Sequence, residues 1–311
     1  MGNITLCTYS STFYDVKTNK QGIIFLFYSI VCLILELFFI VLTVKFFVSN
    51  KKLSARNNFL VFYISFHLSL ISAILYLAGG VICYNLILYN LFCNFPYLAQ
   101  AIGVYAITME SFNLVTIAWK TDNPILVYKE IWCSIVLLVY VGGYIGVFWH
   151  EINDGELHYF YLYNGIWHIA FSGGYFFISK LAHTEVAEKY PSLLPKENRR
   201  VLSGVSCTIA FLMSLRGILT LLSFTGLRLY LRNEHIGLFT LYIIVFVTIF
   251  NLFPCIVLAI FMQLYKQTDI QLISVPEIKK AIQTKKVFPK PAKDDLMQEM
   301  LNMENAEENW V

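Results

Sequence analysis

GIIFLFYSIVCLILELFFIVLTVKFFV, residues 22–48, decides the class of this chain. Only Glu36 and Lys45 are charged in it. As a helix rising 1.5 Å per residue it would reach about 40 Å, more than the roughly 30 Å of a bilayer's hydrocarbon core. A soluble helix needs a polar face, and this stretch has none. Comparable blocks recur, and we place spans near 22–48, 57–82, 96–118, 131–149, 161–181, 202–225 and 237–265. The fold class is therefore an all-α membrane protein, a seven-transmembrane helix bundle. The fourth and fifth spans have the softest edges, because NGIWHIAFSGGYFFISK carries His168 and the pair Gly173–Gly174.

Composition agrees. Of the 311 residues 58% are hydrophobic and 14% charged, and the mean hydropathy is +0.63; a soluble domain carries roughly 25% charged residues. A net charge of +3, with no interleaved basic and aromatic block, speaks against nucleic acid. No dinucleotide fingerprint, phosphate-binding loop or HExxH occurs, so no cofactor, metal or enzyme chemistry is expected from motifs.

The basic residues orient the bundle. Lys51, Lys52 and Arg56 follow the first span, Lys120 and Lys129 the third, and Lys189, Lys196, Arg199 and Arg200 the fifth. The second and fourth connections have no Lys or Arg, and the sixth has Arg228 and Arg232. Positive charge gathers on the cytoplasmic side, so the N-terminus is expected outside and the C-terminus in the cytoplasm. The expected organisation is a short extracellular segment (1–21), a seven-helix domain (22–265) and a cytoplasmic tail (266–311). Asn3, in NIT, is a glycosylation acceptor on the outer side. Cys7, Cys83 and Cys93 sit in or near the compartment that permits disulfides, and three thiols leave the pairing undetermined.

Ionisable groups inside a span must face the bundle or a wet cavity. Here they are Glu36, His67, Glu110, His168 and Arg216, with Asn113 and Asn251 as neutral companions. Arg216 falls in the outer half and Glu110 in the inner half, too far apart in depth to pair. Arg216 is left to meet Glu36, His67 or a bound anion. Gly79–Gly80 and Gly173–Gly174 are expected at close helix contacts. In the last span, NLFPCIVLAIF, Pro254 removes a backbone hydrogen bond and Asn251 lies three residues before it. Such a kink is either a two-state switch or a static bend healed by its neighbours.

An outside N-terminus, seven spans, Cys93 before the third and the Asn251–Pro254 pair resemble a G-protein-coupled receptor. The chain departs from the rhodopsin-like class at several points. Tyr265 is too far from Pro254 for NPxxY. The third span ends in TIAWKTD, the sixth reads CTIAFLMSLRGILTLL, and HEINDGELHYF lacks the partner cysteine. Arg216 in SLRGILTLL and Pro254 in FNLFPCIVLAIF also resemble the plant tobamovirus-multiplication proteins and their animal adipocyte-associated relatives. That resemblance implies a receptor-like membrane protein. A retinal protein is excluded, because no lysine lies between Ile236 and Tyr265.

The tail carries Lys279, Lys280, Lys285 and Lys286 beside Ile278, Ile282 and Val287, the pattern of a basic helix on an anionic leaflet. The functional expectation is a multi-pass receptor of the plasma membrane or an endomembrane. It would bind an unknown ligand and meet a cytoplasmic transducer through loops 49–56 and 182–200 and the tail. A proton- or ion-coupled transporter or channel, or a membrane scaffold, is the alternative.

Overall fold

The computed structural model describes residues 18–49, 57–82, 85–119, 128–154, 158–189 and 196–267. Asn3, Cys7, Cys83, Lys51, Lys52, Arg56, Lys120, residues 190–195 and the tail beyond 267 lie outside the described residues.

The described chain is all helical. The long helices are α1 (Asn19–Ser49), α2 (Asn57–Ile82), α3 (Leu86–Trp119), α4 (Lys129–Asp154), α5 (His158–Lys189) and α6 (Lys196–Phe224). A short α7 (Leu227–Glu234) precedes a last rod made of α8 (Ile236–Val247), a π-helical turn (Thr248–Leu252) and α9 (Phe253–Gln267). Gly226, at φ 86°, makes the left-handed reversal between α6 and α7.

Helix α1 is inside out relative to a water-soluble helix. Its buried positions Phe25, Ser29, Cys32, Glu36, Phe39, Thr43 and Phe46 are spaced alternately four and three apart. The opposite face exposes Ile30, Ile34, Leu37, Phe38, Val41 and Val44. Its polar groups turn inward, packed among phenylalanines, and the opposite face is apolar, as expected when the solvent is lipid. Helix α4 exposes Ile131, Trp132, Leu138, Val139 and Trp149 in the same way. Each large side chain left in water would cost about 1.5–3 kcal/mol relative to burial.

Among the described residues, six segments are long and apolar enough to cross a membrane: Asn19–Ser49, Asn57–Gly79, Ile87–Thr116, Ile131–His150, Arg199–Phe224 and Ile236–Met262. Helix α5 is not one of these six. Its Asn164, His168, Ser172 and Ser179 are all buried, so the polar groups that lower its hydropathy face the bundle.

The most extensive packing is α5 on α6, followed by α2 on α3 and α3 on α5. Lipid supplies no hydrophobic drive between helices, so close contact depends on small residues. A Cβ at Gly217 would lie 2.9 Å from the Gly165 carbonyl oxygen, and one at Gly165 would lie 3.1 Å from that of Gly217. The two backbones touch there. The expectation for Gly173–Gly174 is corrected, since a Cβ at either meets nothing within 4 Å.

The third helix is also longer than the expected 96–118. It begins at Leu86 and runs through Pro96. Pro96 has no N–H for the Phe92 carbonyl, and the Ser72 hydroxyl of α2 donates to that oxygen at 2.9 Å. A neighbouring side chain heals the break, so the proline does not end the helix.

Candidate functional site

Pro254 repeats the problem of Pro96 deeper in the bundle. The carbonyl it leaves without a helical donor is that of Phe250, inside the π-helical turn, where the Phe253 N–H reaches Thr248 instead. The Gln100 side-chain amide of α3 donates to the Phe250 carbonyl. Gln100 Nε2 also lies 2.9 Å from Ser69 Oγ, and Ser69 donates to Asn251 Oδ1 at 2.8 Å. The break in the last rod is thus tied by side chains to α2 and α3.

Arg216 completes this group. It is 1% exposed, and the adjacent Gly217 lets α6 approach α5 closely. Arg216 Nη1 donates to Gln100 Oε1 at 2.8 Å and to Asn251 Oδ1 at 3.3 Å. The guanidinium carbon stands 4.2 Å from the Tyr97 ring centre and 5.5 Å from that of Phe246. Its Nε has no hydrogen-bond partner. Among the described residues no carboxylate pairs with it. Ring faces and neutral amides stabilise a cation only in part, so the site retains unbalanced positive charge.

The expected partners of Arg216 divide accordingly. It meets neither Glu36 nor His67. Glu36 of α1 instead holds His67 of α2, with Oε1 2.8 Å from Nδ1. The other ring nitrogen of His67 lies 3.0 Å from Thr43 Oγ1. Glu110 accepts from Asn58 Nδ2 at 3.3 Å. His168 is fully buried beside Tyr97, its ring centre 5.2 Å away in an edge-on arrangement. Its Nδ1 lies 3.0 Å from the Asn164 carbonyl oxygen, and its Nε2 has no partner.

A cavity opens beside the group, lined by Tyr76, Cys93, Tyr97, Arg216, Ser223, Arg228, Tyr242 and Asn251 among others, with no acidic residue among the described residues that line it. Another lies toward the opposite end of the bundle among Phe59, Tyr63, Glu110, Ser111, Tyr175 and His183. Arg228 of α7 reads as a loop charge in the sequence, yet it lines the first cavity. Its Nη1 donates to the Tyr161 hydroxyl at 2.7 Å and its Nη2 to that of Tyr76 at 3.2 Å. Cys93 receives a longer contact from Arg228, 3.7 Å at Sγ. Ser69, Tyr97 and Gln100 were not singled out in the sequence. The available signal was an amide in mid-span, Gln100, four residues after Pro96.

This is a multi-span helical membrane protein. No protein family, curated protein or solved structure matches the chain.

Proposed function

We propose that the chain is a receptor-like seven-transmembrane protein that passes the binding of a small anionic ligand to a cytoplasmic partner. Helix α5 supplies the seventh crossing. Its 32 residues reach about 48 Å as a helix. With α5 spanning, the N-terminus lies outside, and the loop arginine Arg228 and the cavity it lines face that side.

One observation carries the reading: Arg216 lines the cavity and also holds Asn251 and Gln100, the side chains bound to the broken turn of the last rod. A carboxylate or phosphate entering from the Arg228 end would compete with Gln100 and Asn251 for the guanidinium. Their release would loosen the π-helical turn and let α9 move at the cytoplasmic end. The partner would meet loops 49–56 and 182–200 and the tail. A G protein is the partner that the receptor resemblance implies.

The test is thermal unfolding of the full-length protein in nanodiscs with a panel of small monocarboxylates and organic phosphates. An anion present at a hundredfold its Kd is expected to stabilise by about 2.7 kcal/mol. The gain should vanish in Arg216→Met. A wild-type protein indifferent to every anion at millimolar concentration would sink the ligand reading.

The Glu36–His67 pair favours a second reading, proton-coupled transport, because an acid and an imidazole in mid-bundle suit proton transfer. Proteoliposome flux abolished by Glu36→Gln would establish it in place of the first.

A further inference from the structure

We propose that Glu36, His67 and Cys255 form a binding site for a divalent transition metal, with zinc the best match, inside the membrane. This stands apart from the anion reading and uses none of its residues.

The three side chains come from α1, α2 and α9, and one ligand atom of each lies within 4.8 Å of the others. Thiolate, imidazole and carboxylate are the donor set that zinc takes. Tetrahedral donors around zinc stand roughly 3.3–3.8 Å apart, so the cluster needs only a small adjustment to close. Three protein ligands leave a fourth position for water.

The carboxylate itself favours a cation there. Glu36 is 1% exposed, yet its Oε2 has no hydrogen-bond partner. A buried carboxylate oxygen without a donor is costly, and a metal ion would satisfy it. The Cys255 thiol makes a long, weak contact of 3.8 Å with the Phe66 carbonyl oxygen, which a metal could readily replace.

Charge favours the same conclusion. A carboxylate and a thiolate together neutralise a divalent cation, so the loaded site has no net charge in a medium that penalises any. Loading releases the Cys255 thiol proton. Without a metal, His67 Nδ1–H donates to Glu36 Oε1 at 2.8 Å. Ligation through Nδ1 moves that proton to Nε2, where Thr43 Oγ1, 3.0 Å away, can accept it, the support that metal-binding histidines commonly receive from a second partner. Cys255 follows Pro254 directly, so a bound ion would clamp α9 to α1 and α2 just past the broken turn.

The experiment uses full-length protein in detergent, stripped with a chelator, equilibrated with zinc and desalted. It is expected to keep one zinc per chain. Cobalt(II) in its place should give intense visible bands of tetrahedral type and a near-ultraviolet thiolate band. Cys255→Ser should lose that thiolate band, and Cys207→Ser, at an exposed thiol, should keep it. Thr43→Val should lower zinc affinity roughly tenfold while the thiolate band stays. Monodisperse wild-type protein that retains no zinc, or a cobalt spectrum without a thiolate band, overturns the proposal. So does an unchanged spectrum in Cys255→Ser. If Cys255→Ser does not fold, the wild-type cobalt spectrum decides alone.

Discussion

The side-chain amide of Gln100 donates to the backbone carbonyl of Phe250, four residues before Pro254, and so fills the place of the N–H that the proline lacks. Ser72 does the same for Phe92, four residues before Pro96. The two repairs differ in one respect. Gln100 also accepts from Arg216 through Oε1, so one side chain both caps the broken turn and holds the buried cation.

Gln100→Leu should destabilise the protein by about 2–3 kcal/mol, because it orphans a buried carbonyl and removes a hydrogen bond to a charged group. In a Pro254→Ala background the restored N–H can serve Phe250, so the same change should cost less. Equilibrium unfolding of the four proteins checks this. The expected coupling is on the order of 1 kcal/mol, and strict additivity would mean that the cap and the proline are unrelated.

The glycines of α5 and α6 should separate sharply. Gly217→Ala puts a Cβ 2.7 Å from Ile169 Cγ1 and 2.9 Å from the Gly165 carbonyl oxygen. It should cost about 1–3 kcal/mol through forced helix separation. Gly173→Ala meets nothing within 4 Å and should be neutral or stabilising by up to about 1 kcal/mol. Thermal midpoints of the two variants, measured side by side, decide the matter.

Arg216→Lys keeps the charge but not the planar fork that reaches Gln100 and Asn251 while lying over Tyr97. It should behave more like a loss than a conservative change. We expect destabilisation of about 2 kcal/mol or more, in keeping with a hydrogen-bonded buried cation. Anion-dependent stabilisation should be reduced along with it. A lysine variant with wild-type stability and anion response would show that the guanidinium geometry is immaterial.

If α5 crosses the membrane, the two chain ends lie on opposite sides. Epitope tags at each end, probed in selectively permeabilised cells, should differ in accessibility. Shared accessibility would reduce the crossings to an even number and remove the seven-span reading.

Much of the architecture was legible in the sequence, for a simple reason. In lipid a backbone must satisfy itself within a helix, so long apolar runs such as 22–48 have little choice of structure. The inward-facing polar residues were legible too, since Glu36, His168, Arg216 and Asn251 are expensive anywhere but the bundle interior, and all four are buried. Partnerships were not. Glu36 meets His67 and Arg216 meets Gln100 because of how α1, α2, α3 and α6 rotate and cross, which hydropathy does not encode. Pro96 misled for a related reason. A proline looks like a helix start, and the hydroxyl that removes its penalty, Ser72, lies on another helix. The weakness of the fifth span was real, but its cause is a polar stripe turned inward at Asn164, His168 and Ser172.

The most direct test is hydrogen exchange of the backbone amides of Thr248–Leu252 in the full-length protein in nanodiscs. The account predicts that Gln100→Leu and Arg216→Met each speed exchange there by about tenfold or more, equivalent to about 1.4 kcal/mol, and that Ser72→Ala, which touches only the Pro96 break, does not. Exchange in this turn that is the same in all three variants as in the wild type would contradict the claim that the buried arginine governs the broken turn.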